Sequence, residues 1–225
     1  MSSPTSTRYH RDVRGHIPPA EAVPGYLALT ERDAAIWERA REHLAVRNND
    51  THTLYAYGLA RALVERVPGA DERVVLPAIL LHDTGWSTVP DELILEAIAP
   101  GGGRPDLVRQ HEVEGARIAR EVLGDLGHPA DVIERVVAII DGHDSRLEAL
   151  SVDDACVKDA DKLWRVTPHG IGIVCGWFGL TRDESLRITS ARVQNSLFTD
   201  EARAMGLALA ATASIDLVPQ RQGLE

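Results

Sequence analysis

The stretch Ala78-Ile79-Leu80-Leu81-His82-Asp83-Thr84-Gly85 decides how this chain is read. Four consecutive apolar residues lead into an imidazole and a carboxylate side by side. Upstream, Val74, Val75, Ala78 and Ile79 recur at helical period, so the stretch is the end of a helix that begins at Asp71. Two neighbouring donors face one point only where a helix is ending, and Gly85 supplies the expected stop. The apolar lead-in buries the pair. A buried carboxylate without a partner is costly, so Asp83 needs a cation or hydrogen-bond donors.

The same period repeats on both sides. Thr30-Glu31-Arg32-Asp33 opens a helix in the manner of a capping box, with Ile36, Trp37, Ala40 and Leu44 on its apolar face. Asn49 or Asp50 caps a second helix that carries His52, Tyr55, Leu59, Ala62 and Leu63 and ends near Pro68-Gly69. Beyond Gly85 a short helix is expected over 91–99, then a flexible loop over 100–105. A longer amphipathic helix follows over 106–126 and carries His111. Pro129 sits just inside the next helix start, whose stripe of Val132, Ile133, Val136, Val137 and Ile140 runs into Asp141-Gly142-His143-Asp144. Residues 153–166 form another helix, 171–180 can be helix or turn, and 183–196 and 200–217 are two final helices. Strand alternation is missing throughout. The fold class is all-α: one helical domain over 30–218, an N-terminal arm over 1–29 and a tail over 219–225.

Charge and composition narrow the partners. The net charge of −10 removes a global basic field for a nucleic-acid polymer, so any anionic substrate is small and held locally. No run of about 18 apolar residues would span a membrane, and the N-terminus has no signal-type apolar core. A cytoplasmic location is the expectation. Cys156 and Cys175 form no CxxC motif and are expected as buried, reduced thiols. Lysine occurs only at Lys158 and Lys162, within one helical turn of Asp161. That suggests a place for a compact ammonium facing a phosphate or a metal-bound carboxylate.

Histidine carries the chemistry. Of the nine, His52, His82, His111 and His143 lie at helix ends beside apolar stripes, where ligands from several helices can converge. His10, His16, His43, His128 and His169 are expected at the surface or in packing roles. Imidazole with carboxylate suits Mn, Fe, Ni, Co or Zn. Asp159 and Asp161 compete as the downstream carboxylate. Helical phase favours Asp161 weakly, since Val157, Asp161 and Trp164 share an inward stripe and Asp159 lies about 160° away from Asp161.

The order His52, then Leu81-His82-Asp83-Thr84-Gly85, then Ala160-Asp161-Lys162-Leu163 resembles the H…HD…D signature of HD-domain metal-dependent phosphohydrolases. His111-Glu112-Val113-Glu114-Gly115-Ala116 and Ile139-Ile140-Asp141-Gly142-His143 extend the likeness to a six-ligand subgroup, and it covers residues 47–180. The resemblance implies a helical bundle in which His52, His82, Asp83 and Asp161 hold a first divalent metal. Asp83 would then bridge to a second, held by His111 and His143. It implies hydrolysis of a phosphate ester or phosphoanhydride in a small metabolite or nucleotide. The same six ligands also occur in diiron oxygenases that cleave C–P or C–C bonds, and a non-catalytic sensor is a third reading.

The chain departs from the pattern at one point: Trp86 stands where many HD hydrolases have the lysine of HDxGK. Trp86 is then a pocket wall, while Lys162, Arg165 or Arg104 must neutralise substrate charge. Asp144 and Glu112 are the candidate proton acceptors, and Asp144 could instead orient the His143 ring. The expected partner is a small phosphorylated molecule. The last two helices could cover the pocket or form the face of a homodimer.

Overall fold

The structure, a computed structural model, describes residues 12–222, so His10 lies outside the described residues. Helix follows helix: α1 (Glu31–Ala40), α2 (Asn49–Val64), α3 (Glu72–Leu81), α4 (Asp91–Ile98), α5 (Pro105–Asp125), α6 (Ala130–Ile140), α7 (Val152–Trp164), α8 (Pro168–Phe178), α9 (Arg182–Gln194) and α10 (Asp200–Ser214). Short 3-10 turns join or flank them, and no strand occurs among the described residues. The all-α expectation is met.

Local chemistry sets the helix starts. The side chains of Thr30, Asp71, Ser151, Thr167, Thr181 and Thr199 each accept a hydrogen bond from a backbone N–H of the following helix, satisfying one of its orphan donors. The region left open between helix and turn is α8. The Thr167-Pro168 pair starts it and Gly179, at φ +63°, stops it. The second helix departs from expectation at its start. Its N-cap is Asn48 in the left-handed region, with no side-chain cap, and Asn49 is already helical.

Burial is deepest along α3, where every residue from Val74 to Leu81 is buried. Hydrophobic all round, it is the central rod, packed by α1, α2, α6 and α7. The chain does not leave α3 through a left-handed glycine cap. His82 is the C-cap, and residues Thr84–Thr88 form a 3-10 turn pressed against α5. Gly85 serves that approach: a Cβ there would stand 1.9 Å from the His111 carbonyl oxygen and 2.5 Å from the Gly115 nitrogen. Gly85 therefore brings the His82-Asp83 segment down onto the turn of α5 that carries His111.

The remaining helices build walls. One cavity of about 810 Å³ opens beside α3; α8 lines it with Ile173, Val174, Trp177 and Phe178, and α9 with Ile188, Thr189, Arg192 and Val193. Of the two roles weighed for the last helices, α9 takes that of pocket cover. Residues 12–29 do not line the cavity. Cys156 is buried in the core and burial pushes its thiol up to about 12, but Cys175 is only half-buried, so the expectation of two buried thiols holds for one.

Candidate metal centre

His82 and His143 reach the cavity floor by the same local device. Each lies just beyond a helix, at the ends of α3 and α6, where the last carbonyls have no intrahelical partner. His82 Nδ1 is 2.8 Å from the Ile79 carbonyl and His143 Nδ1 is 2.9 Å from the Ile140 carbonyl, each three residues back. A carbonyl only accepts, so each Nδ1 donates and Nε2 is the ring nitrogen turned inward to the cluster. His52 comes from the first turn of α2, and His111 comes from the middle of α5, not from a helix end as expected. Ring contacts hold them: His52 is edge-on to Trp164 (4.5 Å between centroids), and His111 is stacked on Trp86 (3.8 Å, 9°).

The four imidazoles and three carboxylates meet. His52 Nε2 lies 3.2 Å from His82 Nε2, 3.4 Å from Asp83 Oδ2 and 3.4 Å from Asp161 Oδ1. His111 Nε2 lies 3.4 Å from His143 Nε2, and His143 Nε2 lies 3.6 Å from Asp83 Oδ1. Asp83 thus turns one oxygen to the His52–His82 pair and the other toward His143. His52, His82, Asp83, His111, His143 and Asp161 are all at most 8% exposed.

The donors fit a divalent cation. Ligand atoms about 2.1 Å from one ion stand about 3.0–3.4 Å from each other in octahedral or tetrahedral array, and the spacings here run from 3.2 to 3.7 Å. The Nε2 of His82 cannot satisfy that of His52 when both bear lone pairs; a cation between them can. Burial pushes the Asp83 and Asp161 carboxyls up. His82, His143 and His52 around Asp83, and Arg165 and His52 around Asp161, more than offset this and hold both far below the carboxylate range. Burial and the adjacent His143 push His111 down to about 4; burial also lowers His143, but Asp144 and Asp83 outweigh it and bring it up to about 10. The floor is therefore two ionised acids among imidazoles, an environment that attracts cations.

The remaining expectations divide. Asp161 is in the cluster and Asp159 is not: Asp159 accepts hydrogen bonds from the backbone N–H groups of Phe198 and Thr199 and from the Thr199 hydroxyl. Asp144 sits on the donor side of the imidazoles, its Oδ2 3.5 Å from His111 Nε2 and 3.9 Å from His143 Nε2. The Ile140 carbonyl, not Asp144, orients His143. Glu112 is not free to take a proton. Its buried carboxylate already accepts from the Asp144 and Ser145 backbone N–H groups, the Ser145 hydroxyl and Arg109, and so holds the turn that positions Asp144.

The expected cations also separate. Arg165 reaches Asp161 Oδ2 at 3.4 Å and lines the cavity. Arg104 does not line it; it pairs with Asp106 at the start of α5. Lys162 lines the cavity, but its ammonium donates to the Ser196 carbonyl and lies over the Phe198 ring. Lys158 is buried and donates to the carbonyls of Gly142, His143 and Arg146. The two lysines tie loops together; neither forms a hydrogen bond or ion pair with a carboxylate of the cluster, although burial lowers the Lys162 pKa and the charge of Asp161 works against that. His16 is exposed, His43 and His128 are half-buried, and His169 accepts from Trp164 Nε1; all four stay outside the cluster.

Trp86 has a role that spacing did not reveal. It lines the cavity but is 2% exposed, and its indole Nε1–H donates to Asp83 Oδ1 at 3.1 Å. Arg47 and Asn49, also on the wall, were missed altogether. Neither belongs to an apolar period or a metal-ligand spacing, so no signal in the sequence marked them.

The HD-domain family model matches residues 49–165, more than half of the chain. No curated protein matches the sequence. A structural-genomics crystal structure from Lactobacillus plantarum is similar over 87% of this chain and 98% of its own, with a TM-score of 0.55 at 20% identity, a likeness of fold alone.

Proposed function

The chain belongs to the HD-domain family, and from that premise we propose that it is a metal-dependent hydrolase of a phosphate ester or phosphoanhydride in a small metabolite or nucleotide. HD domains bind divalent metals and the family includes many hydrolases. The observation that carries the reading is the shared Asp83 carboxylate, which faces the His52–His82 pair with one oxygen and His143 with the other at the floor of an arginine-lined cavity. In this proposal His52, His82, Asp83 and Asp161 hold one divalent ion, and Asp83, His111 and His143 hold a second. Such ions lower the pKa of bound water and neutralise phosphoryl charge.

The chain's own groups do the rest. Arg165 contributes positive charge beside Asp161, where a phosphoryl group would collect negative charge in the transition state. Trp164 and Trp177 on the wall limit water around it. Asp144 Oδ2, on a side chain 33% exposed to the cavity, takes the proton of the attacking water. The new P–O bond forms as the bond to the leaving oxygen breaks. Full retention of the ligand set supports an enzyme over a sensor module.

Elemental analysis of protein prepared without added metal, followed by a panel of nucleotides and p-nitrophenyl phosphate esters, tests the reading. The expected result is bound Mn, Ni, Co or Zn and release of phosphate or pyrophosphate, both lost in Asp83→Ala. Normal metal content in Asp83→Ala would refute the ligand assignment. Two bound irons with O₂ uptake on a phosphonate would move the site to oxidative C–P cleavage.

A further inference from the structure

The segment before α2 is wound in a way that only its side chains explain. Arg47 and Asn48 both take positive φ, +48° and +63°, a region that asparagine tolerates but that is costly for arginine. The turn delivers the Arg47 guanidinium between two indoles, its carbon 5.5 Å from the Trp86 ring centre and 5.3 Å from that of Trp177. Stacking fixes the guanidinium plane and leaves its N–H groups directed edgewise. Two of those nitrogens, Nε and Nη1, are buried and have no hydrogen-bond partner. Asn49, 3% exposed on the same cavity wall, likewise has a buried Nδ2 without a partner.

These groups are all donors with no acceptor within hydrogen-bond distance; Asp83, Asp91 and Asp144 act on Arg47 only through charge at longer range. Buried donors left unpaired, one of them charged, are costly unless something completes them. Backbone strain kept at such a place points to use. Trp86 joins this wall to the metal centre, since the indole that packs against Arg47 also donates to Asp83. Arg165 and Arg192 line the same cavity.

We infer that Arg47 and Asn49 form a phosphate-binding site on the cavity wall next to Asp83, which anchors a phosphate group of the substrate. A phosphate offers three terminal oxygens to separate donors, where a carboxylate offers two in one plane. The substrate role rests on the hydrolytic reading; binding of the anion does not.

The test is titration of the full-length protein with inorganic phosphate, followed by tryptophan fluorescence because Arg47 packs on Trp86 and Trp177. Wild type should bind saturably. Arg47→Gln and Arg47→Gly should bind about ten- to a hundredfold more weakly, with Arg47→Lys between, since lysine keeps the charge without the fork. Asn49→Ala should show a smaller loss. Arg47→Gly also relieves one positive φ, so it should melt at or above the wild-type temperature, which separates lost binding from lost fold. Phosphate binding unchanged in Arg47→Gln, no binding to wild type, or acetate binding as tightly as phosphate would each overturn the site. Its failure is distinct from that of the hydrolase. Arg47-dependent phosphate binding in a wild type that turns over no ester keeps the site and removes the hydrolytic reading. Ester turnover by Arg47→Gln at an unchanged KM does the reverse.

Discussion

Trp86 occupies the place where the resembled pattern has a lysine, and it does something a lysine could not. Its indole stacks flat on His111, the Nε1–H holds one oxygen of Asp83, and its other contact is Arg47. Replacing an ammonium with an indole removes a cation from this point, and Arg47 brings one back from a different helix start. Groups that orient a ligand from behind commonly change metal affinity by about 10–100-fold. Trp86→Phe keeps the ring and deletes the donor. We expect at least about tenfold weaker metal binding in competition with a chromogenic chelator and a lower melting temperature, because the smaller ring leaves space in a buried site. Wild-type affinity in that variant would mean Asp83 is positioned without the indole.

At the scale of elements, the two lysines show how a residue beside a site can be structural. Lys158 projects from α7 into the turn after α6 and satisfies three carbonyls there, one of them that of His143. Glu112 holds the other side of the same turn through Asp144 and Ser145. His143 and Asp144 therefore sit on a loop clamped by an ammonium from α7 and a carboxylate from α5. Lys158→Met would leave the buried His143 carbonyl without a donor and the partly buried Arg146 carbonyl without its ammonium, while the Gly142 carbonyl keeps the Arg146 backbone N–H. One unsatisfied buried acceptor costs about 1–3 kcal/mol. We expect about 1–3 kcal/mol of destabilisation in urea unfolding, together with weaker binding of the ion proposed at His111 and His143. A loss below about 1 kcal/mol would show that the turn holds without the ammonium.

At the scale of the whole molecule, the start of α3 is tied to α6 and α7 through charge. Arg73 and Arg135 both pair with Asp71, and Arg135 also pairs with Asp153. The hydrogen bond from Arg73, helped by Arg135, brings the Asp71 carboxyl down to about 2, below its ordinary 3.8. A carboxyl lowered by folding stabilises the fold above its unfolded pKa and loses that contribution as the pH falls through the folded value. The network should therefore be intact above pH about 4 and fade between about 4 and 2. Because the site is partly open to solvent, its share is about 1 kcal/mol. Asp71→Asn should flatten the acid limb of a stability–pH curve by that amount. An identical slope in wild type and variant would remove Asp71 from the acid response.

The sequence by itself determined the helical class and the four histidines of the centre. It also determined the choice of Asp161 over Asp159. The class and the inward phase follow from local period, since a helix must bury its apolar stripe. That the histidines form one ligand set is what the resemblance implied, and His111, in the middle of α5, is not a helix-end donor. The tertiary structure alone decided what each remaining polar group faces. Glu112, Arg104 and Lys162 looked suited to chemistry by type and nearness in the chain, yet each is paired elsewhere by a partner 2 to 34 residues away. Arg47 had no such signal, and two of its nitrogens stand without a hydrogen-bond partner on the cavity wall because the Trp86 turn and α8 close around it. The reason is that hydrogen bonds and desolvation depend on three-dimensional neighbours. A chain's period says which side of a helix is inside, but not which partner waits there.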